Sequence, residues 1–228
     1  MTEYVVAPPP LPSLPVRGSA ARFPLRRIYC IGRNYAEHAV EMGGDPDREP
    51  PFFFMKPPTA ADPSGEFPYP AQSADVHHEI ELAAALGAGG HDVAVEDALG
   101  LVWGYGVAID MTLRDLQNVA KKAARPWETA KGFERSAPIS ELVSAAEIGH
   151  PDAGAITLSV NGETRQSGDL AQMIWKLPEI VATLSRHFEL APGDLILTGT
   201  PAGVGPVHRG DVLVGEVAGV GRLETRVT

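Results

Sequence analysis

The chain has 228 residues, 44% of them hydrophobic, which is enough apolar material for one sizeable core. Charged side chains make up 21%, so disorder is not the default state for the bulk of the chain. With 29 acidic against 19 basic side chains the formal charge is −10, a poor match to nucleic acid or an anionic membrane surface, and any acidic ligand needs local cations or a metal to overcome the overall field.

Residues 1–25 carry Pro8, Pro9, Pro10, Pro12, Pro15 and Pro24. That density forbids helix and favours an extended arm lying on the surface, with a disordered tail as the alternative for the first few residues. No basic stretch leads into a long apolar one at the start, and no apolar run reaches the roughly 18 residues a membrane span needs, so the expectation is a cytoplasmic protein. Residues 26–228 are expected to form a single domain. Residues 27–31 read as a short buried strand ended by Gly32, and its Cys30, the one cysteine, excludes an internal disulfide and is plainest as a buried, inert thiol. A short helix is expected over 34–42, stopped by Gly43, Gly44 and Pro46. Residues 51–55 read as a strand with Lys56 at its end, and 57–74 as loop. A strand is expected over 77–86, a helical turn over 96–99 and a second apolar strand over 101–109. After Asp110 the period changes to that of a helix over 112–122, opened by a capping box from Thr112 to Asp115 and closed at Arg125-Pro126. Residues 156–160 and 163–166 flank Asn161-Gly162, a strong hairpin signal. Residues 169–188 read as one or two helices interrupted at Pro178. The tail is β at 194–198, 212–218 and 223–227. Runs of strands with few βαβ units favour α+β, with helices outside a rolled or sandwiched sheet.

Three carboxylates stand out. On a strand Glu79 and Glu81 point the same way, about 7 Å apart, with Ile80 and Leu82 on the opposite face. Buried together they repel, and a hard cation removes that repulsion by taking both as oxygen ligands. Asp110, at the junction of strand and helix, is the third. Alone it reads more readily as an ordinary N-cap, and two glutamates on an exposed strand face are commonplace. A set of three carboxylates without obligatory histidine or cysteine favours Mg²⁺ or Mn²⁺, with Ca²⁺ also suited, over zinc. On the expected helix over 34–42, His38 and Glu41 share a face at i and i+3, a pair suited to taking a proton from water, or simply part of a charged surface. Lys131 reads as an oxyanion donor or a solvated loop cation. Arg33 and Arg114 read as carboxylate clamps or surface charges. The glycine-rich stretch 197–205 can hold an anion on its backbone N–H groups or simply turn the chain; it lacks the features of a phosphate loop.

Six segments in this order resemble the fumarylacetoacetate hydrolase family: Ile31-Gly32-Arg33-Asn34-Tyr35-Ala36-Glu37-His38, Phe53-Phe54-Met55-Lys56-Pro57, His78-Glu79-Ile80-Glu81-Leu82, Gly106 through Thr112, Ala130-Lys131-Gly132-Phe133, and Pro192 through Pro201. The resemblance implies a mixed β-roll or β-sandwich core with peripheral helices, a metal on Glu79, Glu81 and Asp110, and His38 with Glu41 as a water-activating dyad on a lid helix. It makes Lys131 the oxyanion-supporting lysine. Arg33, Arg114, Gln117 and Thr200 match positions that hold the acid groups of a small 2-oxo di-acid, and a homodimer is implied. The short chain and proline-rich start are most similar to the fumarylpyruvate hydrolases of gentisate degradation, which implies hydrolysis of a C–C bond to give fumarate and pyruvate. One departure is Thr59 to Ser64, where relatives often carry small apolar residues. The competing expectations are an isomerase or decarboxylase of 2-oxo di-acids on the same site, and a non-catalytic module that binds a metal or a small acid.

Overall fold

The computed structural model of the protein describes residues 4–35 and 50–228. The strands of its two larger sheets, in chain order, are β1 (Arg27–Gly32), β2 (Phe52–Lys56), β3 (Glu66–Phe67), β4 (Ile80–Leu86), β5 (Val102–Ile109), β6 (Val143–Ser144), β7 (Ala155–Val160), β8 (Glu163–Asp169), β9 (Asp194–Leu197), β10 (Val212–Val217) and β11 (Gly221–Val227). One sheet runs β6-β5-β4-β9-β1-β2 and the other β8-β7-β10-β11-β3. The α-helices among the described residues are α1 (Arg114–Lys122), α2 (Glu128–Lys131), α3 (Ala145–Ile148) and α4 (Leu177–His187). The fold is α+β, as expected. Among the described residues no helix is long and apolar enough to cross a membrane.

The six-stranded sheet is buried on both faces, which is why its strands read as nearly continuous apolar runs. Along β4, Ile80, Leu82, Ala84 and Leu86 join the core between the two sheets, together with Ile156 and Leu158 of β7 and Ile180 and Leu184 of α4. Ala83 and Ala85 point the other way, into a second cluster with Ile28, Cys30, Leu195 and Leu197. Leu14 and Phe23 close that cluster; they come from a hairpin in the proline-rich segment that pairs Ser13–Pro15 with Arg22–Pro24. The sheets approach closely at Gly215 of β10, where an added Cβ would meet Ile80 Cδ1 at 2.4 Å.

Several expectations need correction. The strand expected over 77–86 is two strands, Val76–His78 and β4, broken at Glu79. The capping box at Thr112 is absent: α1 starts after Leu113 with no side-chain cap, because the Asp115 carboxylate instead accepts from Ser73 Oγ at 2.7 Å and Leu116 N at 2.8 Å. Residues 163–169 form the longer strand β8, and only 177–187 are α-helical, with Pro178 in the first turn rather than at a break. Residues 57–74 are not all loop, since Ala61–Asp62 pairs in parallel with Ala137–Pro138 and Glu66–Phe67 pairs with β11. Of the helix expected over 34–42, Asn34 is not helical, Tyr35 forms an isolated antiparallel bridge with Met173, and the remainder lies outside the described residues.

Candidate active site

The antiparallel pairing of β4 with β5 places the carboxylates. Ile80 faces Ile109, Glu81 faces Ala108, and the ladder continues past the strand ends with Asp110 N donating to Glu79 O at 2.8 Å. Glu79 and Asp110 are therefore cross-strand neighbours, and Glu81 lies one pleat further along. All three are buried, and one ligand oxygen from each lies within 4.8 Å of the others. Asp110 is not an N-cap, because the cap position of α1 is three residues later.

Three cations face the three acids. Lys131, on α2, has its Nζ 2.8 Å from Glu79 Oε2, 2.7 Å from Asp110 Oδ2 and 2.6 Å from Thr112 Oγ1. Burial alone would lower its pKa, but the Asp110 and Glu79 carboxylates outweigh burial and hold it above its ordinary value, so it stays charged. Arg114 Nη2 donates to Glu79 Oε1 at 2.5 Å, and its Nη1 donates to Gln117 Oε1 at 2.6 Å, which leaves the Gln117 amide protons facing outward from that bond. Lys56, fully buried at the end of β2, donates to Met111 O at 3.2 Å, Ser136 Oγ at 2.9 Å and Lys131 O. Those acceptors use its three protons. Its ammonium lies 2.8 Å from Asp110 Oδ1, so the two attract as charges, yet Oδ1 has no hydrogen-bond partner among the described residues.

That orphaned, buried oxygen fits a cation. So does Glu81, whose pKa is pushed well above the carboxylate range by burial first and then by the Asp110 and Glu79 charges, against the opposing pull of Gly199 N–H and Lys131. A divalent ion on an all-oxygen donor set relieves both costs.

The glycine-rich turn after β9 also serves the site. Gly199 N donates to Glu81 Oε2 at 2.7 Å, and it does so at φ +94, with Asn34 Cβ only 2.7 Å from any added Cβ. Gly199→Ala is expected to cost on the order of 1–3 kcal/mol of stability and to weaken Mn²⁺ binding by about tenfold, read by calorimetry. Gly210→Ala is the control: it has φ +93 with nothing within 4 Å, so it keeps the strain while leaving metal binding unchanged. Next to Gly199, Thr200 Oγ1 accepts from Gln166 Nε2 at 2.8 Å and keeps its own proton to donate. The Gln166 amide is fixed, since Nε2 also donates to Pro201 O and Oε1 accepts from Ile80 N at 3.0 Å. The same Oε1 lies 2.9 Å from His78 Nδ1, which makes that nitrogen the protonated one.

Of the residues singled out from sequence, Glu79, Glu81, Arg33, Arg114, Gln117, Lys131 and Thr200 line one pocket, and Asp110 sits against its floor. His38 and Glu41 lie outside the described residues. Sequence reasoning missed five contributors: Lys56, Thr112, Lys121, Gln166, and an aromatic wall of Phe52, Phe54 and Trp127. The one available signal was Lys56, a lysine closing an otherwise apolar strand.

Residues 27–228 match the family model described as fumarylacetoacetate (FAA) hydrolase C-terminal. The structure of fumarylpyruvate hydrolase from Pseudomonas aeruginosa, in complex with Mn²⁺ and pyruvate, superposes with a TM-score of 0.97 at 52% identity, covering 99% of each chain. A putative fumarylpyruvate hydrolase from Burkholderia cenocepacia gives 0.93 at 53% identity, covering 99% of this chain and 98% of that one. Oxaloacetate tautomerase YcgM of Escherichia coli is 45% identical over 199 residues, 86% of this chain and 90% of its own length.

Proposed function

The chain belongs to the fumarylacetoacetate hydrolase family, and we propose that within it this protein is a divalent-metal-dependent hydrolase that cuts a carbon–carbon bond of an acylpyruvate, taking fumarylpyruvate to fumarate and pyruvate. The observation that carries this reading is the pocket itself, with three converging carboxylates beneath hydrogen-bond donors suited to a 2-oxo acid. The likeness to the Pseudomonas enzyme over nearly its whole length supports the choice of acyl group.

Glu79, Glu81 and Asp110 would hold Mg²⁺ or Mn²⁺. When bound there, the ion supplies Lewis acidity to the 2-oxo acid end of the substrate. The chain's own residues position and protonate. The Thr200 hydroxyl and the Gln117 amide donate to the acid group, each fixed by a partner that occupies its acceptor oxygen. His38, oriented by Glu41, takes a proton from water as the water oxygen bonds to the distal carbonyl carbon; both roles are those the family resemblance implies. Lys131 has one uncharged acceptor, Thr112 Oγ1, whose place the developing oxyanion takes. The carbon–carbon bond then breaks, its electron pair leaves with the pyruvate fragment, and the proton from His38 completes pyruvate.

A second reading, tautomerisation of oxaloacetate, is favoured by the 45% identity to the Escherichia coli enzyme and uses the same pocket without activated water. The test follows pyruvate release from fumarylpyruvate, and keto–enol exchange of oxaloacetate, by chelator-stripped protein with and without Mn²⁺. Metal-dependent release that disappears in His38→Ala is the expected result. Fast oxaloacetate exchange with no release from fumarylpyruvate hands the assignment to the second reading.

A further inference from the structure

The floor of the pocket sets three acids (Glu79, Glu81, Asp110) against three cations (Lys56, Arg114, Lys131): Arg114 and Lys131 pair with Glu79, Lys56 and Lys131 pair with Asp110, and Glu81 accepts from Gly199 N. Two further cations line the same pocket and make no ion pair among the described residues: Arg33 and Lys121, the latter feeling the Glu79 charge only at a distance. Each is held on an aromatic ring instead. Arg33 Cζ lies 5.8 Å from the centroid of Phe52, and Lys121 Nζ lies 5.3 Å from that of Trp127. The two rings meet edge to face, 5.3 Å apart, so the cations flank one continuous aromatic wall.

Helix α1 explains how Lys121 comes to face the pocket. Arg114, Gln117 and Lys121 stand at i, i+3 and i+7, a single stripe of the helix. The stripe rises about 10 Å from the Glu79 contact of Arg114 toward Trp127. The surplus charge is felt there: burial, and then the nearby charges of Arg114 and Arg33, lower the Lys121 pKa to about 8. A half-buried pair of cations on aromatic faces, beyond the floor donors, is built to receive a second anionic group of whatever ligand the floor holds.

We propose that Lys121, together with Arg33 across the Phe52 and Trp127 rings, forms a distal anion subsite that selects ligands carrying a second carboxylate. This rests on the reading that the floor binds a 2-oxo acid on a metal. It makes Lys121 a specificity residue and accounts for a di-acid entering a protein of net negative charge.

The experiment compares two ligands of equal length and identical head, 2-oxoheptanedioate and 2-oxoheptanoate, titrated into the Mn²⁺-loaded full chain by calorimetry. Wild type is expected to prefer the di-acid by about tenfold, the value of one charge-assisted contact at a partly wet site. Lys121→Gln is expected to bring that ratio close to one, and Lys121→Arg to restore it. A ratio near one in wild type, a ratio unaltered in Lys121→Gln, or an equal loss of both ligands overturns the subsite. The hydrolysis assay fails separately: a di-acid preference without pyruvate release removes the hydrolase reading and keeps the subsite, whereas release with no preference does the reverse.

Discussion

Replacing Glu81 by alanine or glutamine abolishes metal-dependent turnover and at the same time leaves the metal-free protein as stable as the parent, or more stable. The first half follows from the donor set. Losing one of three carboxylates strips a charged ligand, and without the Lewis acid the reaction loses several kcal/mol of stabilisation, on the order of a thousandfold in rate. The second half follows from the sign of the Glu81 shift. Its pKa stands well above the ordinary 4.5, so the folded, metal-free protein holds the charged form at a cost near neutral pH. A neutral isostere removes that cost. A buried glutamate kept for structural reasons would behave in the opposite way, because deleting it would destabilise the fold. Denaturant unfolding in chelator and Mn²⁺ titration of Glu81→Gln separate the two cases. Unimpaired Mn²⁺ uptake, or pyruvate release at the parental rate, would remove Glu81 from the metal set.

How much of this was legible depended on whether local pattern or tertiary contact decided the residue. The strand β4 was readable as a nearly continuous apolar run because the sheet is buried on both faces, with Ile80 and Leu82 in one core and Ala83 and Ala85 in the other. The Asn161-Gly162 turn was readable because Asn161 at φ +52 and Gly162 at φ +83 supply the two left-handed residues a tight hairpin needs. The break at Glu79 was not: its carbonyl is taken by Asp110 N from the neighbouring strand, and nothing in the run from His77 to Leu82 announces it. The Thr112 box failed for a similar reason, since Asp115 finds Ser73, 42 residues away, and Thr112 is taken by Lys131. Lys56 was announced only by its place at the end of an apolar strand, and Gln166 not at all, because their partners come from distant segments, among them Ser136, Thr200 and Pro201. The six motif segments indicated the acids and Lys131 together because they carry chemistry rather than a backbone pattern. Arg33 shows the limit of that reading. Its place in a motif implied a role toward an acid group, but its φ of +56 and its perch on Phe52 belong to the folded wall.

Lys131→Met lowers stability most in the absence of metal, and the loss widens as pH rises. In the parent, one ammonium answers Glu79, Asp110 and Thr112 at once. Methionine fills the space of the stem and leaves two buried carboxylates short of a cation, a defect of about 3–5 kcal/mol when the charges cannot be re-solvated. The protein has one cheap response, which is to keep protons on the acids. That response works below the carboxylate range and fails above it. Glu81 already binds its proton more tightly when folded than when unfolded, so its contribution falls as pH climbs past 4.5, and removing Lys131, one of the influences lowering its pKa, steepens the fall. Lys131 itself has a raised folded pKa, so in the parent its stabilisation is present throughout this range and fades only at pH above 10.5. The gap between parent and variant should therefore be small near pH 5 and largest near pH 8 in chelator. Saturating Mn²⁺ should narrow it again, since the ion supplies the missing positive charge. Equilibrium unfolding at the two pH values, with and without Mn²⁺, measures all four terms. A gap independent of pH would show that Lys131 acts by packing rather than by charge, and a gap that Mn²⁺ leaves untouched would separate Lys131 from the metal site.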